Sequence, residues 1–322
     1  MANIRDIANL AGVSVTTVSR VLNNHPYVSD EKRRAVLNAI QKTNYQINMK
    51  AVHLSKGKSR LIGVVVPFAN NPYFGLLVEG GITKMAYQHQ YHIVLIQTNY
   101  EKERELEALN MLKHKQIDGI IICSRILDWN TIKPYAGYGP LVVCEKATDI
   151  DYVQSVYVDH YQSFTRALHY LYDKGHRQIG YCIGRETGSN SYYRAKAYQN
   201  FLKEKDLPFL DEFVFTENYY FEDGKKVVKM IISQSNAPPS ALLASDVVAA
   251  GILTACQHNG IAVPDDLAII GFDNQPIAKV MNITTFEIPI VEMGEKLFLQ
   301  VIEKRENKHE KLEVTLIERN TV

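Results

Sequence analysis

From residue 61 onward, short apolar runs alternate with longer amphipathic stretches, and this alternation constrains the fold more than any other feature of the chain. The apolar runs lie at residues 61–66, 93–97, 117–123, 141–144, 179–183, 241–244 and 267–272. Helical patterns separate most of them, at residues 72–89, 101–115, 163–174, 194–205, 224–233 and 247–259. Apolar strands that alternate with helices imply parallel sheets covered on both faces. We therefore predict doubly wound α/β architecture, in two similar lobes because about 260 residues exceed one ordinary sheet.

The first sixty residues differ from the rest, because their apolar side chains recur at helical spacing. Gly12 interrupts the pattern, whose apolar members are Ile4, Ile7, Ala8, Ala11, Val18, Val21 and Leu22. Ser14 follows the interruption as the expected N-cap of a second helix. A third helix is predicted from Ser29 or Asp30 to about Thr43, with an inward face made of Val36, Leu37 and Ile40. The N-terminal part of the chain is therefore predicted to be a compact all-α unit.

Charge is distributed unevenly between these two parts of the chain. The formal net charge of the whole protein is +1. Residues 1–60 carry ten Lys and Arg against three acids, a balance of +7, whereas the remainder carries 26 against 32. A small basic module is thus joined to a larger acidic one, which is typical of a nucleic-acid-binding unit on a separate globular core.

The sequence speaks against export and membrane insertion. No stretch approaches the roughly 20 consecutive apolar residues that a membrane helix requires, and residues 1–6 do not resemble a signal peptide. We expect a cytoplasmic protein with no membrane partner. The four cysteines, Cys123, Cys144, Cys182 and Cys256, lie far apart without metal-type pairing, so we expect buried reduced thiols and no metal site.

Residues 4–24 have the pattern of a helix-turn-helix. Ala8 is small where two helices must approach, Gly12 can supply a positive φ, and Val13 can fill the corner. The outward residues of the second helix are Val15, Thr16, Thr17, Ser19 and Arg20. This face has no carboxylate, so it can enter a major groove, where Arg20 can pair with guanine. The alternative at this stage is a helix pair that merely packs.

The segment Ile4 to Asn23 closely resembles the headpiece of the lac/galactose repressor family. Further matching segments lie at residues 28–29, 44–45, 70–74, 175–177, 264–267 and 271–274, so the resemblance covers essentially the whole chain. It implies a ligand-responsive transcriptional regulator, a repressor of carbohydrate-metabolism genes that binds palindromic operator DNA as a homodimer. Whether the ligand induces or co-represses, and whether the protein activates instead, stays open.

The resemblance also implies which residues contact DNA. In the headpiece they are Ile4, Ser14, Val15, Thr16, Thr17, Ser19, Arg20 and Asn23. In the following hinge, residues 48–60, they are Asn48, Ala51 and Leu54, with Leu54 expected to wedge into the minor groove. His53 stands where the family often has arginine, so the detail of minor-groove contact stays open. The alternative that this segment is only a basic linker also stays open.

The larger region is similar to periplasmic sugar-binding proteins, with two lobes between which the chain crosses three times. By this resemblance the domains are a headpiece at residues 1–47, a hinge at 48–60, a first lobe at 61–158 with 290–316, and a second lobe at 159–289 with 317–322. Ligands of such sheets bind beyond the carboxyl ends of the strands. A cleft between the lobes is therefore the expected ligand site.

Five side chains are expected to bind the effector. Phe74, Arg194 and Asp273 match ligand positions of the family, while Glu145 and Ser245 fall at predicted strand ends. An arginine and an aspartate that face each other across a cleft, beside an aromatic wall, suit a polyhydroxylated ring. We therefore expect a sugar or sugar derivative as effector and no cofactor. An inter-lobe salt bridge for Arg194 and Asp273, and core packing for Phe74, stay open as alternatives.

Two other classes of protein share this architecture. A solute-binding protein would have the same two lobes, although it would not need the basic headpiece. An α/β enzyme would use a similar cleft, but the sequence has no Gly-rich dinucleotide or phosphate loop, no nucleophile elbow and no His-Glu-x-x-His motif. We therefore expect a protein that is not an enzyme.

Overall fold

The computed structural model describes residues 2–45, 58–233, 237–303 and 309–322. The chain separates into two units, Met1–Ser59 and Arg60–Val322. Of the predicted DNA contacts, Asn48, Ala51 and Leu54 lie outside the described residues, as does most of the predicted hinge. Within the described residues, no helix has the length and apolar character that crossing a membrane requires.

Within residues 2–45, the first unit forms three helices, α1 (Ile4–Leu10), α2 (Val15–Leu22) and α3 (Asp30–Thr43). The three predicted helices are therefore confirmed. Their shared core is formed by Ile7, Ala8, Val18, Val21, Val36 and Ala39. The inward orientation predicted for Leu37 is wrong, because this side chain is 52% exposed and Ala39 takes the inward position beside Val36. A residue adjacent to an inward one is rotated by about 100° and leaves that face.

The turn between α1 and α2 depends on Gly12. Its φ is 62°, a left-handed conformation that glycine adopts without the strain a Cβ would cause. The N–H of Val13 donates to the carbonyl oxygen of Ala8 at 3.0 Å, which closes the turn. Asn3 caps the start of α1 and forms a capping box with Asp6. Local sequence therefore determines both the start of α1 and the turn into α2.

The second unit contains two six-stranded sheets. The strands of the first sheet are β1 (Leu61–Val66), β2 (His92–Gln97), β3 (Gly119–Ile122), β4 (Leu141–Val143), β5 (Gln154–Val158) and β11 (His309–Leu312). Those of the second are β6 (Ile179–Cys182), β7 (Val214–Phe215), β8 (Ala241–Leu243), β9 (Ala268–Phe272), β10 (Thr285–Glu287) and β12 (Thr315–Ile317). The orders are β11-β5-β4-β3-β1-β2 and β12-β10-β9-β8-β6-β7. All described pairings are parallel except that of β10 with β12, so the predicted architecture is confirmed.

Helices cover both sheets. A continuous helix α4 includes Pro72–Gly75, a π-helical segment Leu76–Thr83 and Lys84–Gln88. The other α-helices are α5 (Lys102–Lys113), α6 (Trp129–Ile132), α7 (His160–Asp173), α8 (Ser189–Glu204), α9 (Phe221–Ser233), α10 (Asp246–Asn259), α11 (Pro276–Val280) and α12 (Ile290–Ile302). Short 3-10 helices lie at Lys133–Gly137 and Asp211–Phe213. The helix expected at 194–205 begins five residues earlier, at Ser189.

The described strands change sheet three times, after Val158, Glu287 and Leu312. The sequence suggests a single last strand near 311–318, but the structure has β11 and β12 there, in different sheets. The predicted lobe boundary between residues 316 and 317 therefore falls inside β12, and the change of sheet occurs at residues 313 and 314. Both strands are short, and the sequence between them has no Gly or Pro that would reveal the crossing.

Candidate functional site

The N-terminal end of α2 is held by its own side chains. Ser14 is the N-cap, and its hydroxyl oxygen accepts from the N–H of Thr17 at 3.2 Å. The hydroxyls of Ser14 and Thr17 also share a hydrogen bond of 2.9 Å. At the other end the Asn23 side chain donates to the carbonyl oxygen of Ser19 at 2.8 Å. Four of the residues predicted to contact DNA therefore form the hydrogen bonds that stabilise the two ends of this helix.

The outward face of α2 is small and polar. Val15, Thr16 and Arg20 are exposed, while Thr17 and Ser19 are half-buried beside the buried Val18. Among the residues that the structure describes, no carboxylate oxygen lies within 4.0 Å of the Arg20 guanidinium. The structure thus brings the predicted α2 contacts together on one helix. Ile4 lies at the start of α1 and packs against the core of this unit.

A cavity of about 190 Å³ lies in the second unit where the carboxyl ends of both sheets meet. Its lining follows the strands: Ser124 comes after β3, Glu145 after β4, Ser245 after β8 and Asp273 after β9. All five predicted effector residues, Phe74, Glu145, Arg194, Ser245 and Asp273, line this cavity. Parallel strands present their carboxyl ends at the same edge, which explains why residues far apart in sequence converge here.

Arg194 lies on α8 inside the cavity. Its Nη2 is 3.4 Å from Nδ1 of His160, and its guanidinium lies 5.2 Å from the centre of the Phe272 ring. Its Nε is buried and has no hydrogen-bond partner among the described residues. Burial and the charge of Arg194 lower the pKa of His160, so this imidazole is neutral near pH 7. The cavity therefore holds a cation whose hydrogen-bonding capacity is not fully used.

Arg194 and Asp273 do not face each other across the cleft. The helix of Arg194 follows β6 and Asp273 follows β9, and both strands belong to the second sheet. The predicted opposition of the two charges is therefore wrong, and so is the inter-lobe salt bridge considered as its alternative. The predicted second lobe, at residues 159–289, already contains both residues, so the predicted domain limits are themselves inconsistent with a pair that faces across the cleft.

Asp273 belongs to a buried acidic pair. Its carboxylate accepts from Nε2 of Gln275 at 3.0 Å, and burial raises its pKa although Arg194 opposes the shift. Asp246 accepts from the Thr285 hydroxyl and from the Gln275 N–H, both at 2.6 Å. Burial, followed by the charge of Asp273, raises the pKa of Asp246. Two carboxyls whose burial opposes ionisation thus lie close together, and one of them, Asp273, lines the cavity.

The first sheet contributes an ion pair and an aromatic wall. Oε1 of Glu145 accepts from Nε of Arg125 at 2.7 Å, and the Arg125 guanidinium stacks 4.1 Å from the Trp129 ring centre. Phe74 is half-buried and meets Tyr73 edge-on, with ring centres 5.2 Å apart. Phe74 also packs against the apolar core, so core packing and contact with a ligand are compatible at this position.

Several lining residues escaped the sequence reasoning, above all Arg125, His160, Arg185 and Gln275. Nη2 of Arg185 donates to the carbonyl oxygen of Arg125 at 2.8 Å, which joins the two halves of the cavity. A signal existed for both arginines, because each follows an apolar run by one small residue, Ser124 or Gly184. Within the described residues, no three His, Cys, Asp or Glu side chains form a metal-binding group.

Two family models match the chain. The model described as bacterial regulatory proteins of the lacI family matches residues 3–48. The model described as periplasmic binding proteins and sugar binding domain of the LacI family matches residues 59–322. The matches coincide with the helical unit and with the two-sheet unit.

Curated relatives and solved structures agree with these matches. The uncharacterized HTH-type transcriptional regulator YkvZ of Bacillus subtilis is 40% identical over 100% of both chains. A LacI family transcriptional regulator from Lactobacillus casei, solved with bound sucrose, is 27% identical with a TM-score of 0.75, covering 81% of this chain and 99% of its own. The lac repressor dimer bound to operator and the anti-inducer ONPF shares the fold, with a TM-score of 0.80, 22% identity and coverage of 99% and 98%. The chain therefore belongs to the LacI family of bacterial regulatory proteins.

Proposed function

We propose that this protein is a sugar-responsive repressor that binds palindromic operator DNA as a homodimer. The observation that carries the proposal is the cavity between the two sheets, which all five predicted effector side chains line. The carboxylate-free outward face of α2 supports the DNA-binding part. In this proposal α2 enters the major groove, where Arg20 pairs with a guanine and Val15, Thr16, Thr17 and Ser19 meet neighbouring base edges.

The remaining headpiece contacts are proposed for the DNA backbone. Ser14 and Ile4 lie at helix starts, where backbone N–H groups can bind phosphates. Asn23, at the end of α2, is proposed to reach the sugar-phosphate backbone. Residues 48–60 are proposed as a hinge in which Asn48, Ala51 and Leu54 contact the minor groove. The lac repressor, which shares this fold, was solved as a dimer bound to operator.

We propose a sugar or sugar derivative as effector, with no cofactor. The Lactobacillus casei regulator was solved with sucrose, which supports this class of ligand. Phe74 would cover the apolar face of the ring, and Arg194, Asp273, Ser245 and Glu145 would bind its hydroxyls. The domain limits are proposed as predicted, with the boundary near residue 316 moved to 313–314. As a DNA-binding regulator the protein would act in the cytoplasm, without enzymatic turnover.

The test starts from the purified full-length protein and a pool of random DNA duplexes. Repeated selection should enrich a near-palindromic site, and light scattering should give the mass of a dimer. A sugar panel should shift the melting temperature of the protein without any sugar being consumed. Recovery of no preferred duplex would contradict the regulator and favour a solute-binding protein. Conversion of a sugar to product would favour an α/β enzyme.

A further inference from the structure

The charges around the cavity do not balance. The charged lining residues are Arg125, Arg185, Arg194, Glu145 and Asp273. Arg125 and Glu145 already pair with each other at 2.7 Å. Arg185 and Arg194 are then opposed by the single carboxyl group of Asp273. Among the residues that the structure describes, no carboxylate oxygen lies within 4.0 Å of either guanidinium.

Asp273 is a weak counter-charge for two arginines. Its burial disfavours the ionised carboxylate and raises its pKa. His160 adds no negative charge, and it approaches Arg194 with a neutral ring nitrogen. Cations held in a cavity without counter-charge are costly, since they have lost water and gained no ionic partner. The lining of the cavity therefore carries more positive than negative charge, which favours an anionic ligand over a neutral one.

The helix α8 adds positive potential at the same place. Its first residues, Ser189, Asn190 and Ser191, line the cavity together with the N-cap residue Gly188. No side chain caps this terminus, so the first-turn N–H groups have no oxygen from the usual capping position. A helix of 16 residues carries a partial positive charge at its N-terminus, which stabilises anions.

Arg185 lies directly against this helix terminus. A Cβ placed on Gly188 would be 2.7 Å from Nη2 of Arg185, so the guanidinium covers the N-cap residue. Gly188 also has a φ of 154°, and glycine therefore suits it on both grounds. The Ser191 hydroxyl donates to the carbonyl oxygen of Arg185 and holds it beside the first turn. Arg185 and the helix N-terminus thus both contribute positive potential at this place, which stabilises an anion there.

Arg194 is the sixth residue of the same helix. Side chains in a helix tilt towards its N-terminus, so the first turn is within reach of the Arg194 guanidinium. Its buried Nε has no hydrogen-bond partner within the part of the chain that the structure describes, so it can donate to an acceptor in the cavity. Arg185 also retains donors, because one hydrogen bond to Arg125 uses a small part of the five that a guanidinium offers.

We propose that the effector carries an anionic group, a phosphate monoester or a carboxylate, which binds at the N-terminal turn of α8 between Arg185 and Arg194. This inference rests on the proposed function and narrows its ligand class to sugar phosphates or sugar acids. The aromatic wall and Asp273 remain available for the ring and its hydroxyls.

Inorganic phosphate alone tests the anion site without assuming any sugar. Phosphate should raise the melting temperature of the full-length protein relative to chloride at equal ionic strength. Arg185→Gln and Arg194→Gln should each lose most of this shift, measured against the unliganded melting temperature of the same variant. Arg185→Lys, which keeps the charge but not the planar fork, should retain part of it. Circular dichroism of the unliganded variants checks that they are folded.

The matched control is Arg177→Gln. Arg177 lies in the same half of this unit, but it stacks on Tyr172 and does not line the cavity. This variant should respond to phosphate as the unchanged protein does. An equal response in the unchanged protein and in both cavity variants would overturn the proposed anion site.

Matched sugar pairs then separate this inference from the proposed function. Calorimetry would compare glucose with glucose 6-phosphate and glucuronate, and trehalose with trehalose 6-phosphate. In the pair that binds, the anionic member should bind about tenfold more tightly or better. Comparison of glucose 6-phosphate with glucuronate shows whether the site prefers a phosphate or a carboxylate. Tighter binding of a neutral sugar would overturn the proposal that the effector is anionic, but it would leave the proposal of a sugar-responsive regulator intact. Binding of phosphate without binding of any sugar would contradict only the proposal that the effector is a sugar.

Discussion

Arg20 is exposed on α2, and within the described residues no carboxylate lies within 4.0 Å of its guanidinium. An unpaired arginine on a small polar helix face can reach a guanine without first breaking an ion pair. A substitution of Arg20 therefore tests specificity for DNA most directly.

Arg20→Ala should lower the affinity for the selected operator roughly five- to 150-fold, because one bidentate contact contributes about 1 to 3 kcal/mol of discrimination. Fluorescence anisotropy with labelled duplexes measures this. Arg34→Ala removes an exposed charge from α3 instead and should weaken binding to all duplexes alike. If Arg20→Ala binds every duplex as the unchanged protein does, α2 is not the recognition helix.

Asp273→Ala should abolish the response of DNA binding to the sugar while leaving the operator affinity of the free protein roughly intact. The reason is that Asp273 lines the cavity and is buried there, whereas the DNA-binding residues lie in the other unit. Anisotropy with and without the sugar gives both quantities. An undiminished response would exclude Asp273 from the effector site.

Asp246→Asn should flatten the dependence of stability on pH. The pKa of Asp246 in the folded protein is raised by burial and by Asp273, against the opposing charge of Arg319. The folded state therefore binds more protons than the unfolded state above about pH 4, and the free energy of unfolding falls as pH rises towards 8. Melting temperatures between pH 5 and 8 should fall less in Asp246→Asn than in the exposed control Asp265→Asn. Equal slopes would show that Asp246 is not the responsible group.

Sequence reasoning located the five effector candidates better than it described their arrangement. Glu145 and Ser245 were predicted because residues after apolar runs reach the carboxyl edge of a parallel sheet. The same argument applies to Arg125 and Arg185, each of which lies two residues after an apolar run. The placement of Arg194 and Asp273 in the same half follows from the predicted second lobe at residues 159–289, and it excludes a pair of charges that face each other across the cleft.

At the scale of elements, α9 and α10 pack with little space between their backbones. A Cβ on Gly251 would collide with the carbonyl oxygen of Phe221, and one on Gly224 with that of Val248. This contact helps to hold α10, whose N-cap residue Ser245 lines the cavity. The close approach requires glycine on both helices.

Gly251→Ala should therefore destabilise the protein by about 1 to 3 kcal/mol, since the two helices must separate to admit a methyl group. Urea unfolding followed by circular dichroism measures the change. The matched control is Gly75→Ala in α4, where nothing lies within 4 Å of the added Cβ and alanine favours the helix. An unchanged stability of Gly251→Ala would contradict the close packing of α9 on α10.

The sequence predicts the helices and strands best where the spacing of the apolar residues is regular. The long apolar runs gave the central strands, because buried parallel strands need no polar face. The π-helical segment within α4 and the division of the last strand into β11 and β12 left no mark in the hydrophobic pattern. Both depend on how neighbouring elements pack, as with α4 against α12, where Gly81 and Gly294 approach closely.

In the whole molecule, one chain carries both the proposed DNA-binding unit and the proposed ligand-binding unit. Regulation then requires that the ligand and the operator prefer different conformations, so that each alters the affinity for the other. A coupling free energy of about 1 to 3 kcal/mol would change operator affinity roughly five- to 150-fold.

The most direct test is operator affinity of the full-length protein, measured by anisotropy with and without a sugar that saturates the cavity by calorimetry. We expect the sugar to change operator affinity roughly five- to 150-fold. Because the coupling is reciprocal, saturating operator should change the sugar affinity by the same factor. Unaltered operator affinity at full occupancy of the cavity would contradict this coupling.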